Sequence, residues 1–529
     1  MDAPVNLTSR LAHWPRLCAL ALGVISATGF APLNLWIATI LALWGLIELL
    51  RRALGWKAAA ALGWCFGLGH FALGNNWIAT AFTYQANMPP WLGWIAVGLA
   101  ACYLAIYPAL AVLVAWFLRR SHWALILALA GGWIITEWLR SWAFSGYAWN
   151  PLGAVLLGDD HAPGLARLAP MLGTYGLAAV VILIAGLLSW FESLPLRRRR
   201  SSYLWLTGFC AVYIAMSWNG ALDQQASNDG PRFTLVQPDV RQDVLNDPAN
   251  FEAQFATLAG LSRDEAPGSP RLVFWPESGV PDYLRAGYPA RYYGWTYNAD
   301  PALARARIGR VIGAESLLLT GASDLELDGD TAVGARNVVT VVDGAGAIRG
   351  SYAKAHLVPG GEYLPLRWLL EPLGAGRLVP GSIDYWPGPG PRTLDLGAAG
   401  KVGVQICYEI IFSGQVVDRA DRPAFLFNPS NDGWFGAWGP PQHLAQARLR
   451  AIEEGLPVLR ATTTGISAVI DANGVVQRQL DRHTKGRIDG IIPPAHPPTL
   501  FARLGNVLPL GWAMLLLIAA LVAFRRSAR

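Results

Sequence analysis

The chain has 529 residues, enough for two or three domains, but only 15% of them are charged and the mean hydropathy is +0.32. These values exclude an ordinary soluble protein and indicate a protein that lies in a membrane. The net charge of +6 comes from 42 basic and 36 acidic residues, with much of the excess in short runs beside apolar segments. Such runs are typical of topology signals, so we expect no nucleic-acid partner.

Eight stretches are apolar and long enough for a helix to cross a bilayer, which takes about 20 residues with tolerance for shorter ones. They lie at 17–31, 34–50, 58–79, 91–117, 122–139, 173–192, 203–219 and 507–524. Only Pro32-Leu33-Asn34 separates the first two stretches, so they could form either a tight helical hairpin or a partly re-entrant element. The first stretch has no small-residue cleavage pattern, and we expect no cleavable signal peptide.

Basic residues flank alternate ends of these stretches, as the positive-inside rule requires. They follow the second, fourth, sixth and eighth stretches and are Arg51, Arg52, Lys57, Arg119, Arg120, Arg197 to Arg200, Arg525, Arg526 and Arg529. The pattern predicts cytoplasmic termini and an extracytoplasmic block between the last two stretches. Near the end of the fifth stretch, Glu137 and Arg140 lie one helical turn apart, either as a functional pair or as a structural ion pair.

The hydrophilic block alternates strands and helices. Its predicted strands are 232–236 and 271–275, its predicted helices are 250–261, 301–314 and 442–454, and its hairpin turns are Asp343-Gly344 and Asn473-Gly474. The Pro- and Gly-rich tract 386–391 is expected to be a loop that could act as a flexible arm. We therefore expect three parts: transmembrane helices in 1–220, a catalytic domain in 221–495, and a last transmembrane helix with a cytoplasmic tail in 496–529.

Three apolar, strand-like segments of this block each end near a side chain suited to catalysis. These side chains are Glu277, Lys354 and Cys407. Cys407 is the only cysteine of the block and predicts a nucleophile. A neighbouring ammonium lowers a thiol pKa and a carboxylate can take the proton, so we assign Glu277 as general base and Lys354 as the group that stabilises the thiolate. Lys354 and the backbone N–H of Tyr408 could then hold the oxyanion.

Other residues near these three have two open interpretations each. Glu362 and Glu409 either orient Lys354 or satisfy a loop as structural acids. Trp434 and Phe435, with the preceding Asn431 and Asp432, either shape the substrate pocket or form a turn and a core aromatic pair. The other four cysteines lie in apolar stretches and the eight histidines are scattered, so we expect no disulfide framework, metal or cofactor.

The strings that carry these residues resemble a known family. They are Phe274-Trp275-Pro276-Glu277-Ser278, Lys354-Ala355-His356-Leu357-Val358-Pro359, Gly361-Glu362-Tyr363, Cys407-Tyr408-Glu409 and Asn431-Asp432-Gly433-Trp434-Phe435-Gly436. Over about residues 231–493 they resemble the nitrilase superfamily, which implies an αββα sandwich with a Glu-Lys-Cys triad. More narrowly they resemble its membrane branch, the apolipoprotein N-acyltransferases. Members usually have Phe where this chain has Gly360, so that substrate loop is expected to be more mobile.

The resemblance implies a two-step reaction in the bacterial inner membrane, with the catalytic domain in the periplasm. Cys407 would take an acyl chain from a glycerophospholipid, typically phosphatidylethanolamine, and pass it to the amine of an apolipoprotein diacylglyceryl-cysteine. We expect a monomer that needs no cofactor. Two alternatives are a membrane-anchored amidase and a transporter or scaffold with an inactive nitrilase domain. The intact triad and the uniformly apolar stretches speak against the second.

Overall fold

In the computed structural model the described residues are 14–84, 89–144, 146–194, 230–263, 270–364, 367–370, 372 and 383–527. The chain forms two compact units. The helical unit comprises Met1–Ala79, Pro90–Leu222 and Arg503–Arg529, and the sheet unit comprises Thr80–Pro89 and Asp223–Ala502. The predicted stretch 203–219 lies outside the described residues.

The described α-helices follow the predicted apolar stretches and helical spacings closely. In chain order they are α1 Pro15–Ala27, α2 Trp36–Arg51, α3 Trp56–Gly74, α4 Ile78–Ala81, α5 Leu92–Leu104, α6 Ile106–Phe117, α7 His122–Arg140, α8 Ala169–Ser193, α9 Gln242–Leu245, α10 Phe251–Leu261, α11 Pro301–Ile312, α12 Arg367–Leu370, α13 Gly439–Glu454, α14 Leu500–Leu504 and α15 Val507–Arg526.

Four helical stretches of the described chain are long and apolar enough to cross a membrane. They are Leu92–Phe117, His122–Arg140, Gly164–Ser193 and Val507–Arg526, and α1 is a shorter apolar helix. These apolar helices are consistent with a membrane protein. The number of membrane-spanning helices and their orientation stay predictions.

Small residues let the helices of this unit approach closely. A Cβ on Gly23 of α1 would lie 1.9 Å from the carbonyl oxygen of Phe66 in α3, so only glycine fits that crossing. Within α7, Glu137 and Arg140 are both buried and bind the segment that follows the helix. Glu137 accepts from the backbone N–H of Leu152 at 2.7 Å, and Arg140 donates to the carbonyl of Trp149 at 2.8 Å. These contacts favour the structural interpretation of the pair.

The sheet unit contains two six-stranded sheets. Their strands are β1 Arg232–Gln237, β2 Leu272–Phe274, β3 Leu317–Asp328, β4 Thr331–Asp343, β5 Ile348–Ala353, β6 Thr393–Asp395, β7 Lys401–Val404, β8 Phe425–Ser430, β9 Val458–Thr462, β10 Ser467–Ile470, β11 Val476–Leu480 and β12 Gly486–Ile491. The strand orders are β12-β1-β2-β3-β4-β5 and β11-β10-β9-β8-β7-β6. Strands β1, β2 and β3 of the first sheet are parallel to one another, as are β7, β8 and β9 of the second sheet. All other neighbouring strands are antiparallel.

Successive side chains of a strand point to opposite faces of its sheet, which explains how the sheets and helices pack. Phe274 of β2 meets Phe427 of β8 with ring centroids 4.8 Å apart, which joins the two sheets face to face. Its neighbours Val273 and Trp275 point the other way and pack with Leu258 of α10 and Ile308 of α11. Two sheets with helices on an outer face form the nitrilase-like fold that the sequence predicts.

Local sequence explains where the covering helices begin and end. The Asp300 side chain accepts from the backbone N–H groups of Ala302 and Leu303, and Pro301 occupies the first turn of α11. Helix α13 ends at Glu454 and is followed by Gly455, whose φ of +65° suits a left-handed cap. Both predicted hairpin turns are present, between β4 and β5 and between β10 and β11.

Candidate active site

The fold brings the three predicted catalytic side chains together in the interior of the sheet unit. Glu277 follows β2, Lys354 follows β5, and Cys407 comes shortly after β7. All three are buried, with exposed fractions of 7%, 1% and 4%. The Lys354 Nζ lies 3.5 Å from Glu277 Oε1. Because β5 and β2 belong to one sheet and β7 to the other, packing of the sheets completes the site.

Cys407 occupies a sharp turn in which its backbone is left-handed, with φ of +51°. This conformation is costly for a residue with a Cβ and is held only where surrounding contacts impose it. A 3₁₀ helix, Cys407–Ile411, begins at this residue. The turn presents a side chain at the end of a strand, which is how a nucleophile is commonly displayed.

Lys354 is a buried cation with two carboxylate partners. Its Nζ lies 2.9 Å from Glu362 Oε2 and 3.5 Å from Glu277 Oε1. Burial disfavours the charge, but Glu362, Glu277 and Cys407 outweigh that effect and raise the pKa of Lys354 above its usual value. The lysine therefore stays protonated and serves as a fixed positive charge.

Asn337 of β4, which the motif strings do not single out, links the two carboxylates. Its side-chain amide donates to Glu277 at 2.7 Å and to Glu362 at 3.0 Å. The other oxygen of Glu277 accepts from the backbone N–H of Asn431 at 2.8 Å. Glu277 is thus oriented through both oxygens, as a general base must be.

The thiol of Cys407 is protonated in this environment. Burial raises its pKa well above the usual value, and Glu277 adds to the rise, while Lys354 and the backbone N–H of Asn431 oppose it. The sequence suggested a thiol pKa lowered by the lysine, so burial reverses that expectation. The site fits a mechanism in which Glu277 takes the proton during attack, in place of a stored thiolate.

Glu362 and Glu409 have different roles. Glu362 is the acid paired with Lys354. Glu409 accepts four hydrogen bonds, from the Tyr352 hydroxyl and from the backbone N–H groups of Ala355, His356 and Ile406, at 2.7–3.2 Å. Burial raises the pKa of Glu409 to about 7, although these donors and Lys354 oppose the shift. Glu409 therefore joins the turn that carries Cys407 to the segment that follows Lys354.

The predicted substrate residues lie in two loops. Trp434 is partly exposed and its ring meets Tyr84 edge to face at 5.7 Å, whereas Phe435 is buried against His443 at 5.6 Å. Gly360 has φ of +76°, and a Cβ there would meet nothing within 4 Å. The positive φ favours glycine at this position, whereas the space around it would admit a larger side chain.

The tract 386–391 is a loop. Its first residues are held by backbone hydrogen bonds, whereas the sequence suggested that the tract could act as a flexible arm. The Trp386 N–H donates to the Ala335 carbonyl and the Gly388 N–H donates to the Lys354 carbonyl, both at 2.7 Å. A Cβ on Gly388 would lie 2.1 Å from the carbonyl oxygen of Ala353, so the close approach requires glycine. The tract supports the segment that carries the lysine.

A second buried cluster lies behind Cys407, formed by Asp432, His443 and Arg460. Arg460 Nη2 lies 2.6 Å from Asp432 Oδ2, and His443 Nε2 lies 3.0 Å from the carbonyl oxygen of Cys407. The sequence placed His443 on a helix but did not connect it with the site, because no pattern shows which strand end the helix covers. Among the described residues, no group of three His, Cys, Asp or Glu side chains is arranged to hold a metal.

Comparisons with known proteins agree with this architecture. Residues 22–187 match the family model described as the apolipoprotein N-acyltransferase N-terminal domain, and residues 234–495 match that of the carbon-nitrogen hydrolases. The chain is 36% identical to the apolipoprotein N-acyltransferase of Bradyrhizobium diazoefficiens, over 97% of this chain and 95% of the relative. It is 32% identical to that of Nitrosomonas europaea, over 96% and 97%.

Solved structures of lower similarity were also found. A carbon-nitrogen hydrolase superfamily protein from Xanthomonas campestris is 20% identical, with 50% of this chain and 90% of that chain covered and a TM-score of 0.34. An amidase from Nesterenkonia sp. is 17% identical, with 51% and 93% covered and a TM-score of 0.35.

Proposed function

The chain belongs to the apolipoprotein N-acyltransferase family and is an acyltransferase, and we propose that it carries an acyl chain from a glycerophospholipid, such as phosphatidylethanolamine, to an apolipoprotein. The acceptor is the amine of an N-terminal diacylglyceryl-cysteine, and the intermediate is a thioester on Cys407. The observation that carries the proposal is the buried cluster of Cys407, Lys354 and Glu277 in one chain. A monomer is sufficient, because one chain supplies all of these groups.

In the first step the Cys407 sulfur attacks the ester carbonyl of the phospholipid while Glu277 takes the thiol proton. The raised thiol pKa makes this transfer necessary, since little thiolate is present beforehand. The negative charge on the carbonyl oxygen is held by the Lys354 ammonium and the Tyr408 N–H. The carbon–oxygen bond then breaks, Glu277 returns the proton to the leaving alcohol, and lysophospholipid departs.

In the second step the acceptor amine attacks the thioester carbonyl. The same two donors hold the oxyanion, and Glu277 takes a proton from the amine as the new amide bond forms. The carbon–sulfur bond breaks and Cys407 recovers its proton. A site in which Glu277, Lys354 and Cys407 are all buried limits access of water, so the thioester is expected to persist until an amine arrives.

We further propose that the enzyme is a multi-pass protein of the inner membrane with residues 221–495 in the periplasm. The four long apolar helices support the membrane location, and the alternating basic runs support the orientation. Such a location places the cluster beside its lipid donor. We propose that Trp434 and the loop at Gly360 contact substrate, since Trp434 is partly exposed whereas Phe435 is buried.

A single-turnover experiment tests the proposal. With phospholipid alone, the purified protein should release one equivalent of lysophospholipid in a burst, and mass spectrometry should find the acyl group on the peptide that contains Cys407. Adding a peptide with an N-terminal diacylglyceryl-cysteine should discharge it, giving ping-pong kinetics. Cys407→Ala should form no adduct, and Cys65→Ala, a control in a helix of the other unit, should behave as wild type. Steady release of fatty acid without acceptor would instead identify a hydrolase.

A further inference from the structure

We propose that His443 is a positioning residue that aims the oxyanion donor, acting through the peptide bond between Cys407 and Tyr408. The inference deepens the proposed function and rests on it only for the identity of the acyl donor. Its basis is the contact of 3.0 Å between His443 Nε2 and the carbonyl oxygen of Cys407. The proposal needs no contact between His443 and the substrate, because the buried ring acts on the carbonyl oxygen of Cys407.

The contact with the Cys407 carbonyl requires a proton on one ring nitrogen of His443. A carbonyl oxygen can only accept, so Nε2 must be the donor toward Cys407. Nδ1 lies 3.0 Å from Arg460 Nη2, which can only donate, and 3.1 Å from Asp432 Oδ1, which can only accept, and with either partner Nε2 keeps the proton that faces Cys407. Burial and the Arg460 charge lower the pKa of His443, which agrees with a neutral ring. The carbonyl of Cys407 therefore requires the proton on Nε2, and in the neutral ring Nδ1 is then left to accept from Arg460.

The charge of Arg460 is balanced and held within the same cluster. Both oxygens of Asp432 lie within hydrogen-bond distance of Nη2, at 2.6 and 2.8 Å, and Ser430 Oγ lies 2.9 Å from Nη1. The Asn428 side chain also accepts from Nη1, and its amide reaches the Cys407 carbonyl at 3.4 Å. A buried ion pair whose terminal guanidinium nitrogens are both hydrogen-bonded is rigid, so it can hold the imidazole at a fixed position.

The consequence follows from the geometry of the peptide bond. The carbonyl of Cys407 and the N–H of Tyr408 belong to one planar trans unit and point in opposite directions. Anchoring the carbonyl to His443 therefore sets the direction of the N–H that we assign to the oxyanion. It also holds the left-handed backbone of Cys407, and a hydrogen bond accepted by the carbonyl strengthens the N–H as a donor.

Two matched substitutions separate this role from simple support of the fold. In His443→Gln the side-chain amide nitrogen can take the place of Nε2 and still donate to the Cys407 carbonyl. In His443→Asn the amide can take the place of Nδ1, beside Arg460 and Asp432, but is too short to reach that carbonyl. Both variants keep a polar group in the cluster, and thermal unfolding in detergent checks that both are folded.

Two reactions of Cys407 are then compared in the full-length protein. Acylation by phospholipid or by a p-nitrophenyl ester passes through an oxyanion, whereas alkylation by iodoacetamide does not. Losing an oxyanion donor directly costs about 10²- to 10³-fold in kcat, so we expect an indirect loss of about tenfold or more in His443→Asn with KM little changed. His443→Gln should stay within about threefold of wild type. Alkylation should be equal in all three proteins.

Several results would overturn the inference. These are wild-type acylation in His443→Asn, equal losses in both variants, an alkylation rate that falls in parallel with acylation, or failure of both variants to fold. If wild type is acylated by the p-nitrophenyl ester but not by phospholipid, the proposed lipid donor is wrong while the comparison of variants still decides the role of His443. Absence of any acylation of wild-type Cys407 would refute both proposals.

Discussion

Replacing Glu362 by Gln tests whether this acid keeps Lys354 from pairing fully with the general base. With an effective dielectric constant of about 20, unit charges attract by about 6 kcal/mol at the 2.9 Å of the Glu362 contact and by about 5 kcal/mol at the 3.5 Å of the Glu277 contact. Most of this gross attraction offsets the removal of the charges from water. Breaking a buried pair costs about 3–5 kcal/mol, and because Glu277 remains, we expect the lower end, about 3 kcal/mol.

The catalytic effect should be separate from the loss of stability. In Glu362→Gln the ammonium of Lys354 has one anionic partner left, so it should move toward Glu277 and make that carboxylate a weaker base. General-base catalysis contributes about 10²- to 10⁴-fold, and we expect the rate of acylation to fall by about ten- to a hundredfold. Burst kinetics with phospholipid measure that rate, and thermal unfolding in detergent measures the stability.

A matched control is available in the same unit. Glu326 pairs with Arg336 at a partly exposed position, and Glu326→Gln should change the unfolding free energy by only about 0–1 kcal/mol and leave acylation unchanged. If Glu362→Gln acylates as fast as wild type and unfolds at the same temperature, the assignment of Glu362 as the partner of Lys354 is wrong.

Three further predictions concern the thiol, a loop and the topology. Because burial raises the pKa of Cys407 well above its usual value, its alkylation rate should keep rising about tenfold per pH unit to pH 9, and a plateau below pH 8 would contradict this. Gly360→Ala should destabilise the protein by about 1–2 kcal/mol through its φ of +76°, whereas Gly260→Ala in α10 should be neutral or stabilising in the same unfolding assay. Reporter fusions near Asp343 should be active only outside the cytoplasm, and a cytoplasmic signal would refute the predicted orientation.

The strand ends were the part of the site that the sequence could predict. Glu277, Lys354 and Cys407 each follow an apolar run, and a reactive side chain directly after a buried strand is a local pattern. The strands β1 and β2 and the helices α10, α11 and α13 were also predictable, because their apolar spacing is local. Helix α13 begins at Gly439, three residues before its predicted start.

Residues whose role depends on a distant partner could not be predicted. Glu362 and Glu409 look alike in the sequence, and only the structure shows that the first reaches Lys354 while the second binds backbone N–H groups. Asn337 lies inside a strand, and nothing in the sequence distinguishes it from an asparagine with a purely structural role. The protonation of Cys407 was likewise unpredictable, since a nearby lysine is visible in a motif but the extent of burial is not.

The same reasoning explains why the catalytic distances depend on the core. Glu277 and Lys354 come from one sheet, and Cys407 and Asn431 come from the other, so the backbone contact between Asn431 and Glu277 crosses from sheet to sheet. The separation of the sheets is set by side chains such as Phe274 against Phe427. A smaller residue at Phe274 would therefore change the reach of Glu277 toward Cys407 as well as the stability, which ties the chemistry of the site to packing that no catalytic motif contains.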